Sequence, residues 1–205
     1  MERLTLQVGS YEVNCSVLCE AGKALIVDPG QDAARIADVL AKRGLEPAAV
    51  LLTHAHFDHI GGIPGLLRQF PWLPVYLHER DLPALAHPMN QLPPEYPAAP
   101  RSGNFRPLPS APSLKLPPFE LQVIETPGHT PGGVCYYLPE EKLLLSGDTL
   151  FAGSVGRTDF PGGDMATLMA SLKKLAALPG DTCVVPGHGR PTTIADELRG
   201  NPFLA

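Results

Sequence analysis

The chain has 205 residues, enough for one good hydrophobic core with little room for a second, so residues 1–205 are read as one domain. Lys plus Arg number 16 against 21 Asp plus Glu, a net charge of -5, which argues against binding a phosphate backbone and leaves nucleic acid out of the expected partners. No stretch approaches membrane-spanning length, and Met1–Thr5 shows neither a basic start before a long apolar run nor a small-residue cleavage pattern, so a soluble cytoplasmic protein with no membrane partner is expected.

In chain order, Leu4–Val8, Cys15–Cys19 and Lys23–Val27 read as three strands, the last closed by Asp28-Pro29-Gly30. Asp32 is placed to cap a helix from Ala33 to Ala41, with Ile36, Val39 and Leu40 on its apolar face and Gly44 stopping it. Ala48–Leu52 is a strand. Ile63, Leu66, Leu67 and Phe70 have helical spacing, Val75–His78 reads as a strand, and Glu79–Ala86 as a short helix with Pro83 in its first turn. Eleven of the 24 prolines fall between Pro83 and Pro118, so this segment is either a stiff surface excursion or a lid, composition favouring the former. Phe119–Thr126 is strand-like, and Val134–Leu138 pairs with Lys142–Leu145 as a hairpin. Asp164 caps a helix from Met165 to Ala177, and Cys183–Val185 is the last expected strand. Cys15, Cys19, Cys135 and Cys183 form no C-x-x-C pair and are expected as free thiols in the core.

Chemistry-bearing residues follow strand ends. The stretch Thr53-His54-Ala55-His56-Phe57-Asp58-His59 places three imidazoles and a carboxylate within six residues after an apolar segment. No cysteine joins them, which disfavours a closed structural zinc site and points to an open catalytic one. His54 and His56 share one parity in extended backbone, whereas Asp58 and His59 point elsewhere if the chain turns after Phe57, a geometry suited to two metals. Strand ends also precede Gly128-His129, Gly147-Asp148 and Gly187-His188. His78 and His87 stand outside this spacing and are read as structural or surface residues. No H-E-x-x-H, G-x-G-x-x-G or G-x-x-x-x-G-K is present, and Ala152–Gly156 falls one glycine short of a serine-hydrolase elbow.

With these residues assembled, the chain resembles the metallo-β-lactamase superfamily, and within it the glyoxalase II-like hydrolases. The ordered set runs from Asp28-Pro29-Gly30 through His54-x-His56-x-Asp58-His59, Gly128-His129, Gly147-Asp148-Thr149 and Gly187-His188 to Asn201-Pro202-Phe203-Leu204. The resemblance implies an α/β four-layer αββα sandwich with metals at one edge. It implies that His54, His56 and His129 hold one metal, that Asp58, His59 and His188 hold a second, and that Asp148 bridges both. The implied cofactors are two divalent ions, zinc as the first choice with iron or manganese as alternatives. The implied partner is a small-molecule glutathione thioester such as S-lactoylglutathione, hydrolysed to glutathione and a 2-hydroxy acid by a metal-bridging hydroxide that Asp58 helps to orient. Asp28 and Thr53 are expected to steady the ligands, although a strand-end turn explains Asp28-Pro29-Gly30 equally well.

Departures from relatives narrow the reading. Class B β-lactamases usually lack the aspartate-histidine pair here, which disfavours antibiotic hydrolysis; flavodiiron proteins put an acid where Ala55 stands. The residues after His188 are too few for the helical domain with which full-length glyoxalase II helps to hold glutathione. By resemblance, Arg157 takes over that contact, against the simpler reading of a surface arginine paired with Asp159. The alternative activity is a mono-iron glutathione persulfide dioxygenase, whose family shares a stretch like Gly156–Phe160.

Overall fold

Strand residues alternate their destination, and the alternation builds a stack of four layers. In a computed structural model, which describes residues 1–88, 104–109 and 112–204, the first sheet consists of β1 (Glu2–Val8), β2 (Val13–Glu20), β3 (Lys23–Val27), β4 (Glu46–Leu51), β5 (Val75–Leu77) and β6 (Phe105–Pro107), side by side in that order. The first three are antiparallel neighbours; β3 to β6 run parallel. Along β2, Val13, Cys15, Val17 and Cys19 face α1 (Ala33–Lys42) and α3 (Ile63–Gln69), which contribute Ile36, Leu40, Ile63 and Leu66 to the same apolar layer. Leu18 faces the other way, joining Leu25 and Leu51 in a second layer.

That second layer lies between the sheets. The other sheet orders β14 (Thr192–Thr193), β13 (Cys183–Pro186), β10 (Leu143–Gly147), β9 (Val134–Leu138), β8 (Phe119–Glu125) and β7 (Ser113–Leu116). Val134, Tyr136 and Leu138 of β9 point inward, while Cys135 and Tyr137 point outward to α4 (Met165–Ala176) with Leu168, Leu172 and Leu175. Both faces of both sheets are therefore buried, which is why their central strands read as near-continuous apolar runs. The remaining elements are the one-turn α2 (Phe57–Ile60), the hairpin of β11 (Leu150–Phe151) and β12 (Ser154–Val155), and α5 (Ile194–Gly200). Among the described residues no helix is long and apolar enough to cross a membrane.

Two local expectations are corrected. Asp32 occupies the N-cap position of α1 but has a left-handed backbone (φ 54) and caps nothing; its Oδ2 accepts from the Gly9 amide at 3.0 Å. Glu79–Ala86 is a 3₁₀ helix with Pro83 in its interior, since i-to-i+3 bonding leaves a proline ring more freely placed than an α-helical interior does. Asp164 does cap α4, its Oδ1 accepting from the Thr167 amide at 2.7 Å. Much of the proline-rich segment, residues 89–103 and 110–111, lies outside the described residues, and the lid question with it. All four cysteines are free, three of them buried.

Candidate metal centre

Four strand ends converge on one edge of the stack. After β4 the chain stays extended through His54 and His56, then coils into α2, so Asp58 and His59 leave the path of the first two imidazoles. His129 arrives in the short loop after β8, Asp148 directly after β10, and His188 after β13. The loops approach closely because glycine lets them. A Cβ on Gly187 would lie 2.2 Å from Asp148 Oδ1 and 2.7 Å from His59 Cε1, and one on Gly156 would lie 1.8 Å from the Asp148 carbonyl oxygen. Asn14 of β2 secures the His188 loop, its side-chain amide donating to the carbonyls of Pro186 at 3.0 Å and Gly189 at 2.8 Å.

Each histidine except His56 has one ring nitrogen tied to an oxygen outside the cluster. His59 Nδ1 pairs with Asp28 Oδ2 at 3.0 Å, His129 Nδ1 with the Arg157 carbonyl at 2.7 Å, His188 Nδ1 with the Tyr11 carbonyl at 2.8 Å, and His54 Nδ1 with Thr53 Oγ1 at 3.0 Å. Such bonds fix the tautomer and turn the Nε2 lone pair inward. Asp28 links these supports, since its Oδ1 accepts from the Thr53 amide at 2.8 Å and its Oδ2 from Thr53 Oγ1 at 2.6 Å.

The inward atoms form overlapping sets. His54, His56 and His129 offer ligand atoms within 4.8 Å of one another, as do Asp58, His59 and His188, while a third grouping joins His54 and His59 to Asp148. Asp148 Oδ2 lies 3.6 Å from His129 Nε2 and 3.7 Å from His188 Nε2, placing this carboxylate between the two histidine sets. His54 Nε2 and Asp148 Oδ1 are buried without a hydrogen-bond partner. Unpartnered buried acceptors are costly, and two imidazole nitrogens facing each other at 2.9 Å, His56 Nδ1 and His129 Nε2, are a poor arrangement except around something positive. The donor set of nitrogens and carboxylate oxygens fits divalent metal ions.

The electrostatics divide the histidines. Burial pushes His54 well below the ordinary imidazole range and His56 down to about 4, with neighbouring imidazoles adding to the effect. Burial acts the same way on His59 and His188, but it is outweighed: Asp148, Asp28 and Asp58 hold His59 well above that range, and Asp58 and Asp148 raise His188. For the carboxyls burial favours the neutral form, yet His59 and its neighbours keep Asp148 and Asp58 below the usual carboxylate range.

Residues 8–188 match the family model described as the metallo-beta-lactamase superfamily. The chain belongs to that superfamily. The two central sheets with helices outside them are thus the metallo-β-lactamase fold. Among curated relatives, a probable metallo-hydrolase, YqgX of Bacillus subtilis, is 39% identical, covering 97% of this chain and 95% of its own. The hydroxyacylglutathione hydrolase GloC of Haemophilus influenzae is 36% identical over 97% of this chain and 95% of the relative. Among solved structures, the BLEG-1 B3 metallo-beta-lactamase superposes with a TM-score of 0.91 at 40% identity, covering 99% of each chain. TTHA1623 in a di-iron-bound form gives 0.88 at 40% identity, covering 98% of this chain and 100% of that one. ETHE1 from Myxococcus xanthus gives 0.80 at 27% identity, covering 98% and 84%.

The superfamily fold brings all seven expected ligands into one cluster, and Asp28 and Thr53 beneath it. Arg157 Nε and Nη2 both donate to Asp159 at 2.7 Å, and the guanidinium carbon sits 3.8 Å from the centre of the Phe160 ring. Its backbone carbonyl, rather than its side chain, touches the cluster. Sequence reasoning missed Asp81, a wholly buried carboxyl in the 3₁₀ helix. Its Oδ2 accepts from the Ala55 amide at 3.1 Å and Thr130 Oγ1 at 2.8 Å, and its Oδ1 from the Gly132 amide at 2.6 Å, tying the His54–His59 loop to the His129 loop. An acid inside an apolar-faced short helix was the available signal. Tyr11, which orients His188 through a main-chain carbonyl, left none.

Proposed function

We propose that residues 1–205 act as one catalytic domain hydrolysing a glutathione thioester of the S-lactoylglutathione class. His54, His56 and His129 would hold one divalent ion, Asp58, His59 and His188 a second, and Asp148 both. The observation that carries this reading is the meeting of two three-residue ligand sets at Asp148, with His54 Nε2 buried without a hydrogen-bond partner and Asp148 Oδ1 buried 3.4 Å from His59 Nε2. The similarity to GloC supports the substrate class, and zinc is the first choice of metal, with iron next because TTHA1623 is known in a di-iron-bound form.

When bound, the ions supply a water activated at neutral pH and polarise the thioester carbonyl. The chain supplies everything else. Asp58, held ionised beside His59 and 3.2 Å from His188 Nε2, presents an acceptor oxygen that can orient an attacking water. Asp28, Thr53, Tyr11 and the Arg157 carbonyl fix the imidazoles in the tautomers that ligation needs. The thiolate of glutathione is a good enough leaving group to depart without a proton donor. Arg157 is a weak grip for the substrate, since binding there would exchange one exposed carboxylate for another.

Two observations favour competitors: the likeness to ETHE1 together with Gly156–Phe160, which fits a persulfide dioxygenase, and the 40% identity to a B3 metallo-β-lactamase. One metal-analysed sample decides among them, assayed with S-lactoylglutathione without oxygen, glutathione persulfide with oxygen, and a β-lactam. The expected outcome is anaerobic thioester hydrolysis with two ions per chain, both lost in Asp148→Ala and mainly one in His188→Ala. Oxygen uptake matching sulfite formation on a single iron, or turnover of the β-lactam alone, would reject the thioesterase.

A further inference from the structure

A groove of about 200 Å³ opens directly off the candidate ligand His56, walled by Arg80, Ala84, His87, Pro131 and Pro161. Its surface is mostly proline rings and methyl groups, suited to the backbone and methylenes of a small peptide. Arg80 supplies its fixed positive charge. The Arg80 side chain makes no hydrogen bond or ion pair among the described residues, whereas Arg157 is held by Asp159 through two nitrogens. The segment carrying Arg80 is anchored on both sides. The Arg80 amide donates to His78 Nδ1 at 3.2 Å, and the adjacent Asp81 is bonded to Ala55, Thr130 and Gly132 in the loops that bear the histidines. The backbone under Arg80 is therefore fixed relative to the metal cluster, and what binding must order there is the side chain.

We propose that this groove receives one arm of the glutathione moiety and that Arg80 binds its terminal carboxylate, a specificity-determining contact. The inference rests on the thioesterase reading and adds a residue that holds the glutathione end of the substrate. A chain of net charge -5 with acids in its centre needs a local cation to draw an anionic substrate to the correct end of the site. A guanidinium grips a carboxylate through two parallel hydrogen bonds, which an ammonium cannot do.

The test is steady-state kinetics of wild type, Arg80→Ala and Arg80→Lys, each with metal content measured, on four thioesters: S-lactoylglutathione, the γ-glutamylcysteine amide analogue lacking the glycine carboxylate, the cysteinylglycine analogue lacking the γ-glutamyl carboxylate, and a neutral N-acetylcysteamine thioester. Glutathione affinity is read in parallel by calorimetry. Arg80→Ala is expected to lower kcat/KM for S-lactoylglutathione roughly ten- to hundredfold, mainly through KM, and to weaken glutathione binding to a similar degree. Arg80→Lys should recover part of the loss. The neutral thioester should be unaffected, and the analogue insensitive to the substitution identifies which carboxylate Arg80 holds. Equal losses on all four substrates, or none on any with wild type active, would overturn the assignment of Arg80 alone. Wild type inactive on every thioester would overturn the hydrolase reading and this inference with it.

Discussion

Thr53 shows how one buried side chain can separate the two candidate metal positions. Its hydroxyl donates to Asp28 Oδ2 at 2.6 Å and lies 3.0 Å from His54 Nδ1, while the same Asp28 oxygen pairs with His59 Nδ1 at 3.0 Å without passing through Thr53. Thr53→Val keeps the shape and removes the relay to His54, leaving Asp28 paired with His59 and with the residue 53 amide. We expect the ion held by His54, His56 and His129 to bind roughly ten- to hundredfold more weakly, with the other ion nearly unchanged, as for other groups that orient a ligand from behind. Chelator competition on each ion would show it, and equal weakening of both would refute the division of labour. The ligands themselves were legible because imidazoles and carboxylates at strand ends are conspicuous. Their supports were only half legible: Asp28 adopts φ 51, a left-handed backbone a turn alone would explain, and its true partners are 25 and 31 residues away.

At the scale of elements, the 3₁₀ helix is a brace between two loops rather than a connector. Burial raises the Asp81 carboxyl above the usual carboxylate range, against the hydrogen bonds from Thr130, Gly132 and Ala55 that favour the charge. Asp81→Asn turns one acceptor oxygen into a donor facing another donor. The expected cost is about 1–3 kcal/mol for each amide or hydroxyl left unsatisfied, together with weaker metal binding at His56 and His129. Urea unfolding of metal-free and metal-loaded protein measures both effects; a change within about 0.5 kcal/mol would show that the brace carries no load. Long strands and α4 were readable from period and capping. β6, β11, β12 and β14 are two or three residues long and have no period to read. α5 was missed although Thr193 caps it, accepting from the Asp196 amide at 3.1 Å.

Across the whole molecule, the first sheet supplies four candidate ligands and the second supplies three, so metal binding joins the two halves of the sandwich. The pKa directions give this coupling a sign. In metal-free protein, the raised His59 and His188 stabilise the fold fully below the unfolded imidazole value of about 6.5, and that contribution is lost as pH rises through their folded values. A metal must displace their protons, so affinity at Asp58, His59 and His188 should fall as pH is lowered from about 7.5 toward 5.5. His54 and His56, pushed down by burial, are already neutral there and release no proton. Metal titrations at the two pH values, with proton release read from two buffers, should find the ion at Asp58, His59 and His188 the more pH-sensitive of the two. Identical pH dependence for both would contradict the assignment.

What the amino-acid sequence determined alone was local: which residue types end which strands, and the H-x-H-x-D-H order, whose geometry follows from an extended segment turning into one helical turn at Phe57. The superfamily pattern was legible for the same reason, since it is a list of short motifs. Tertiary structure decided which residues meet. His56 and His129 are 73 residues apart, His59 and His188 are 129 apart, and their contact depends on how two sheets pack through a shared layer of Leu18, Leu25, Leu51, Tyr136 and Leu145. The same packing buried Asp81 between two loops and left Arg80 facing a groove. No spacing along the chain encodes those pairings, because they follow from close-packed side chains filling one particular interior.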